Sequence, residues 1–362
     1  MSTDHAVVAR FAAPESQESI KDEPALRRIG GGQLARFSGV YVLIAFVIVY
    51  GFWVPKTFLT TTTLQSIIGD QAVTGVVTIG VVFALSAGAF DLSFANNLGL
   101  SGVICSSLIL NDHVSPALAV VITLLFGITV GAVNAFFVVR VGVSSIVVTL
   151  GMSSILSALN SRITNGGQYL TGLPKSFTNI ASPKPFGVPV LAIYLLIAAL
   201  IGWYVLEHTP VGRRLQASGA GPEAARLAGV STGRMTLLAL VVTGGMASLA
   251  GVLVTAQIGT ASPDVGSGYL LSVFAAAYLG TTQIKPGRFN IAGTILAIFL
   301  LATGVKGLQL GGGQAWITDA FNGGALILAV SLAAVGQRGG SLNPLTALSR
   351  LRRRSRTEQE IA

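Results

Sequence analysis

The chain has 362 residues, 52% of them hydrophobic and 10% charged, with a mean hydropathy of +0.72. A soluble domain carries about 25% charged residues, so this balance excludes a soluble fold for most of the chain and makes a bilayer its solvent. The formal net charge of +9 would suggest nucleic acid in a soluble protein; here the basic residues read as marks of cytoplasmic loops, and no nucleic-acid partner is expected.

Residues 1–38 are polar, with Pro14, Pro24 and mixed charges. They read as a disordered cytoplasmic tail, without a cleavable signal, ahead of a first span that acts as an uncleaved anchor. From there continuous apolar runs alternate with short polar joints. The runs predict spans at 39–55, 64–88, 94–111, 116–140, 144–164, 188–206, 235–256, 269–280, 291–308 and 316–335. Continuous rather than alternating hydrophobicity favours helices over a barrel. The expected fold is therefore all-α: a polytopic helical membrane protein of about ten spans in two five-helix halves. The transmembrane body covers 39–336, and 337–362 is a basic cytoplasmic tail. The run at 269–280 is too short to cross and reads as a half-helix or re-entrant segment.

With both termini placed inside, the cytoplasmic side receives 18 of the 23 lysines and arginines and the outside receives 5. That bias supports an even number of spans. Five spans per half would make any internal repeat inverted. Each half carries one small-residue break, SAGAFDLS at 86–93 and LGTTQIKPG at 279–287. GITVG at 127–131 and GLQLG at 307–311 fit close helix packing within one chain. Trp53, Trp203 and Trp316 read as interfacial anchors. Cys105, the single cysteine, sits in an apolar run, excludes an internal disulfide and reads as a buried, inert thiol.

The longest polar interval, 207–234, falls in the cytoplasm on this count. Within it PEAARLAG has helix signals: Pro222 at the first position, Glu223 in the first turn, Gly229 past the end. A helix this short is unstable alone and needs something to pack against. GAGPEA at 219–224 imitates a dinucleotide fingerprint, and GVSTG at 229–233 a nucleophile elbow, but neither has a strand before it. His5, His113 and His208 lie in polar segments and form neither a triad nor a metal site. No catalytic, cofactor or metal residues are expected, and no G-x-x-x-x-G-K-[ST] occurs, so any ATP that drives this chain must bind a partner subunit.

Acids inside the membrane mark coupling sites, and two stand out. Asp70 lies early in the second span. Asp91 lies at the break, where FDLS reads first as a helix N-cap and otherwise as a solute contact or proton relay. The interior polar residues are mostly neutral: Ser86, Ser93, Asn96, Asn97, Asn134, Thr149, Asn160, Thr243 and Thr303. Asp91, Ser93, Asn96, Asn97 and Asn134 are the candidate pathway or broken-helix residues. Amides and hydroxyls suit an uncharged, hydrogen-bonding solute; taken singly, each also reads as interhelical glue.

Five stretches in order then resemble a known family: SAGAFDLS (86–93), VVTLGMSSI (147–155), TPVGRRLQASGAGPEAARLAGV (209–230), VTGGMASLAGVL (242–253) and GSGYLLSVFAAAYLGTTQIKPGRFNIAGT (266–294). The chain resembles the ribose-type permeases of bacterial ATP-binding-cassette importers, in the branched-chain-amino-acid/ribose permease superfamily. Phe90, Asn96, Asn97, Leu271 and Pro222 depart from the family pattern.

The resemblance implies a multi-pass permease of the bacterial inner membrane, acting with a second permease chain as a homodimer. It also implies a cytoplasmic ATP-binding subunit and an extracytoplasmic solute-binding protein, with the exterior loop at 165–187 as its point of contact. Gly221, Pro222, Glu223, Ala225, Arg226, Gly229 and Val230 would form the coupling helix seated in the ATPase. The rival expectation is a stand-alone secondary carrier or channel, which would need Asp70 or Asp91 to couple ions.

Overall fold

A computed structural model describes residues 37–165 and 172–337. The tails expected at 1–38 and 337–362 lie almost wholly outside the described residues, as does 166–171 of the exterior loop.

The described chain is helical. Its principal helices are α1 (Ser38–Trp53), α2 (Thr61–Ser86), α3 (Phe94–Leu110), α4 (Pro116–Phe136), α5 (Ser145–Thr164), α6 (Val190–His208), α7 (Pro210–Ala220), α8 (Pro222–Leu227), α9 (Thr232–Ile258), α10 (Leu270–Gly280), α11 (Ile291–Leu310) and α12 (Trp316–Gln337). Among the described residues six helical stretches are long and apolar enough to cross a membrane, and four further apolar helices are shorter. A π-turn, Phe137–Val141, continues α4 to Gly142, whose φ of 83° ends it.

Two helices make the centre. α2 is the most deeply buried long helix, followed equally by α9 and α11; α2 and α9 pack against each other, with α9 also against α3 and α4. The packing is close because glycines sit at the crossings. A Cβ on Gly131 would strike the Leu240 carbonyl, and one on Gly127 would come 2.6 Å from the Gly244 carbonyl. Gly307 and Gly311 likewise admit the rings of Tyr50 and Trp53. Both small-residue motifs therefore pack within the chain. Without water to drive apolar groups together, such contacts and interhelical hydrogen bonds supply the cohesion. Thr243 donates to the Gly80 carbonyl at 2.8 Å, joining α9 to α2; Ser248 donates to the Thr123 carbonyl at 2.6 Å, joining α9 to α4. Cys105 is buried in α3.

Helices such as α5 and α6 expose most of their apolar surface, as lipid-facing helices do. Trp53, Trp203 and Trp316 are exposed.

The two breaks are arranged differently from the sequence expectation. Residues 87–93 leave the helical path at the end of α2, as expected. Their positional counterpart is 259–266, after α9, rather than 279–287. Each follows the buried second long helix of its half, and each leads into a short helix. The sequence 281–290 is a turn between α10 and α11, tied by Asn290. That amide donates to the Gly280 and Gln283 carbonyls at 3.1 and 3.2 Å, and its oxygen accepts Gly293 N–H at 2.7 Å.

Candidate functional site

α7 and α8 carry the polar interval. Thr209 caps α7, accepting Gly212 N–H at 3.3 Å. α8 is only six residues long and begins with Pro222, whose ring fixes the first turn. It ends in a paired lock: Val230 N–H donates to the Ala225 carbonyl and Gly229 N–H to that of Arg226, both at 2.9 Å. Gly229 has φ 81°, the left-handed conformation this closure requires. Arg226 bonds Glu223 at 2.9 Å and Thr232 at 3.1 Å, tying α8 to the start of α9. Ala225 is buried, while Leu227 is 92% exposed. Arg213, Arg214, Arg226 and Arg234 lie in or beside the same polar interval.

This segment touches the first break directly. Gly219 lies against the Ser86 carbonyl, and a Cβ there would come 2.9 Å from the Gly88 nitrogen. Ser86 Oγ is buried without a hydrogen bond and lines a cavity with Arg213, Gln216 and Arg288.

Beyond Gly88 the chain is held by side chains of α5. Ser145 Oγ accepts Phe90 N–H, and Thr149 Oγ1 accepts Leu92 N–H, both at 3.1 Å. Asp91 Oδ1 accepts Ser93 N–H at 2.8 Å and Ser93 Oγ–H at 2.6 Å. The carboxylate also takes a backbone bond from Phe94. The cap position of α3 is Ser93, whose own side chain does not cap. Asp91 therefore serves the helix start from two residues upstream, with its charge at the positive end of the helix dipole.

Asn134 donates to Ser93 Oγ at 2.8 Å, Asn97 to the Gly244 carbonyl at 3.0 Å, and Asn96 to Ser153 Oγ at 2.6 Å. Gly244 lies halfway along α9, so α3 starts near mid-depth and its missing inner turns are the extended 87–93. The five candidate residues lie near the start of α3 in three separate sets of bonds: Asp91–Ser93–Asn134, Asn97 with Gly244 and Ser101, and the part-buried Asn96 with Ser153. Asn134 Oδ1 and Asn160 Oδ1 remain unbonded among the described residues.

The second break reaches α3 itself. A Cβ on Gly99 would come 2.9 Å from the Pro263 carbonyl, which also accepts Asn160 Nδ2 at 2.8 Å. Gly266 lies against the Ala95 carbonyl, and Phe94 and Phe274 pack edge to face with centroids 5.8 Å apart. The turn-rich segment 259–266 thus packs on the first turns of α3, the helix that starts where the first break ends.

Asp70 was singled out from sequence with no cation near it in the chain. The fold supplies one from a distant helix: Lys306 Nζ donates to Ser66 Oγ at 3.0 Å, 240 residues apart, and Ser66 Oγ donates to Asp70 Oδ2 at 3.0 Å. Gln257 Nε2 donates to Asp70 Oδ1 at 3.1 Å. Lys306, Gln257 and Leu227 were missed from sequence. The first two sit in helical runs that only the fold brings together, and an exposed leucine has no sequence signal.

Polytopic helices, two broken segments and a short exposed helix in the polar interval define a transport component of the multi-pass membrane class. The chain belongs to the family described as branched-chain amino acid transport system / permease component, which matches residues 63–330. It is 30% identical over 276 residues to the ribose import permease protein of Escherichia coli (strain K12), covering 75% of this chain and 86% of the relative. It is 30% identical over 298 residues to the D-allose transport system permease protein of the same organism, covering 82% and 91%. An autoinducer 2 import system permease protein of Yersinia pseudotuberculosis serotype O:1b is 28% identical over 263 residues, covering 71% and 78%. No solved structure matches. The chain is thus a multi-pass, inner-membrane permease component of an ATP-binding-cassette importer, a class that carries no ATPase site of its own.

Proposed function

We propose that this chain is the membrane half of an importer that carries a neutral sugar or a related polyhydroxylated solute inward, worked by ATP hydrolysed on a separate subunit. The names of its relatives, ribose, D-allose and autoinducer 2 permeases, support a polyol-like cargo. The observation that carries the coupling is Leu227, 92% exposed on α8. In this reading ten helices cross, both termini face the cytoplasm, and two copies form the pathway. A solute-binding protein delivers cargo from outside, and α8 seats in the ATPase.

The mechanical route follows from contacts. Closure of the ATPase pair would pull α8 and, through α7, move Gly219 against Ser86 and Gly88 at the first break. The first break leads into α3, whose Ala95 and Gly99 carry the second break, and repeat-built transporters hold their cargo at such mid-depth breaks, so in this reading a shift at one is passed to the other.

The test is uptake by the assembled importer. Arg226→Glu reverses the charge beside Leu227, and Gly229→Pro removes both the left-handed turn and an N–H that closes α8. Both variants are expected to abolish uptake with membrane abundance near that of the parent. Normal uptake in both would refute the coupling role of α8. Reconstituted alone, the chain is expected to accumulate no solute under any ion gradient; accumulation would establish a secondary carrier instead.

A further inference from the structure

At the end opposite α8, a cavity of about 270 Å³ opens between α2, α10, α11 and α12. Its polar wall is Asp70, Lys306, Gln71, Gln309 and Asn322; its apolar wall is mainly Leu301 and Val305, with the Tyr269 ring at one side. We infer that this cavity is a binding vestibule within each chain for a single neutral polyhydroxylated molecule on its way to the mid-depth breaks.

Four features carry the assignment. The first is charge balance. Asp70 and Lys306 are joined through Ser66 by two 3.0 Å hydrogen bonds, so the wall offers one negative and one positive group with no excess. Such a wall favours an uncharged ligand over an ion, because an ion would leave one of the pair opposed.

The second is unused hydrogen-bonding capacity. Asn322 is 5% exposed, yet its amide makes no hydrogen bond among the described residues. Lys306 uses one of three donors, and Asp70 keeps acceptor sites. The Asn322 amide lines the cavity, where a hydroxylated ligand could bond it.

The third is shape and chemistry. A volume just below the usual ligand-pocket range of about 300–1,000 Å³ fits a small molecule. One apolar wall with an aromatic ring facing a polar wall fits a sugar, whose ring has an apolar face and a hydroxyl rim. The fourth is position: Tyr269 and Gly268 of the wall directly follow Gly266, which seats on Ala95 in the first turn of α3. The vestibule therefore leads to the breaks from the side that would receive cargo.

This inference rests on the sugar-import reading, and the experiment separates the two. Asn322→Cys and, independently, Thr318→Cys are made in the importer; Cys105 is buried and serves as the unlabelled background. Labelling by a membrane-impermeant thiol reagent is timed without ATP, with and without millimolar D-ribose or D-allose. The sugar that the parent importer takes up is expected to slow labelling of both cysteines by about tenfold. Asp70→Asn and Lys306→Gln are expected to raise KM for that sugar at least about tenfold, the effect of losing one charge-assisted hydrogen bond. Unchanged labelling and unchanged KM, with the parent still importing, would overturn the vestibule and leave the sugar permease standing. A parent importer that takes up neither sugar, with labelling slowed by neither, would overturn both.

Discussion

Gly219 and Gly88 meet backbone against backbone. A Cβ on Gly219 would lie 2.9 Å from the Gly88 nitrogen, and one on Gly88 would lie 3.2 Å from the Gly219 Cα. Gly88 also holds φ 78°, a conformation that glycine adopts without strain. The pair joins the end of α7, which precedes the exposed α8, to the broken end of α2. Gly219→Ala is therefore expected to displace α7, lowering stability by about 1–3 kcal/mol as overpacked cores do, and to reduce uptake more than abundance. A thermal melt of the purified chain beside a transport assay measures both; parent-like values in each would show the contact to be slack.

Asp91 tests whether the first break is a helix start or a proton relay. Its carboxylate accepts the Ser93 N–H and hydroxyl at 2.8 and 2.6 Å. Asp91→Asn keeps the shape but presents an amide where an ionised acceptor met two donors. The expected cost is about 1–3 kcal/mol, read as a lower folding yield and melting temperature, with the pH profile of uptake unmoved. A displaced pH optimum at normal yield would instead make Asp91 a titrating group of the transport cycle.

Much of this was legible in the sequence, for identifiable reasons. Span positions followed from apolar run length, because lipid forces every crossing backbone to bond within its own helix. α8 was legible because its signals are local: Pro222, Glu223 and Gly229 lie within eight residues. The break at 86–93 was legible for the same reason. The counterpart break was placed at 279–287 because its small residues and proline look like one. The segment that plays the part, 259–266, carries ordinary turn residues (Gly259, Ser262, Pro263, Asp264, Gly266) that read as a loop between spans, and only the fold shows Pro263 and Gly266 seated on α3. Gly219 was counted toward a chance dinucleotide pattern, since nothing local reveals a contact with Ser86, more than a hundred residues earlier. Asp70 was visible as an acid within a span, but its pairing with Lys306 through Ser66 is tertiary.

Leu227 gives a sharper test of docking than the charge reversal at Arg226. Its side chain is exposed, so Leu227→Ser removes no packing inside this chain, and the melting temperature of the isolated permease is expected to stay within the range of ordinary surface changes, about ±0.5 kcal/mol. Co-purification with the ATP-binding subunit is expected to fall by about tenfold or more, since an apolar anchor at the centre of an interface is worth roughly 2 kcal/mol or more. Undiminished co-purification would move the docking surface away from Leu227.

The glycine motif at 127–131 separates packing within a chain from packing between chains. Gly127 and Gly131 of α4 face Gly244 and Leu240 of α9, and the space for a Cβ at either is already filled by backbone. Gly131→Leu would force the two helices apart over a crossing that also carries the Ser248–Thr123 hydrogen bond at 2.6 Å. The expected outcome is a chain that loses several degrees of thermal stability, because strained overpacking costs about 1–3 kcal/mol or more, while the fraction that folds still assembles into the same oligomer. Size-exclusion chromatography of the detergent-solubilised variant, read beside its melt, decides the matter. A variant that melts like the parent but elutes as a smaller species would assign the motif to the contact between two copies, and would remove the α4–α9 crossing from the account of what holds each copy together.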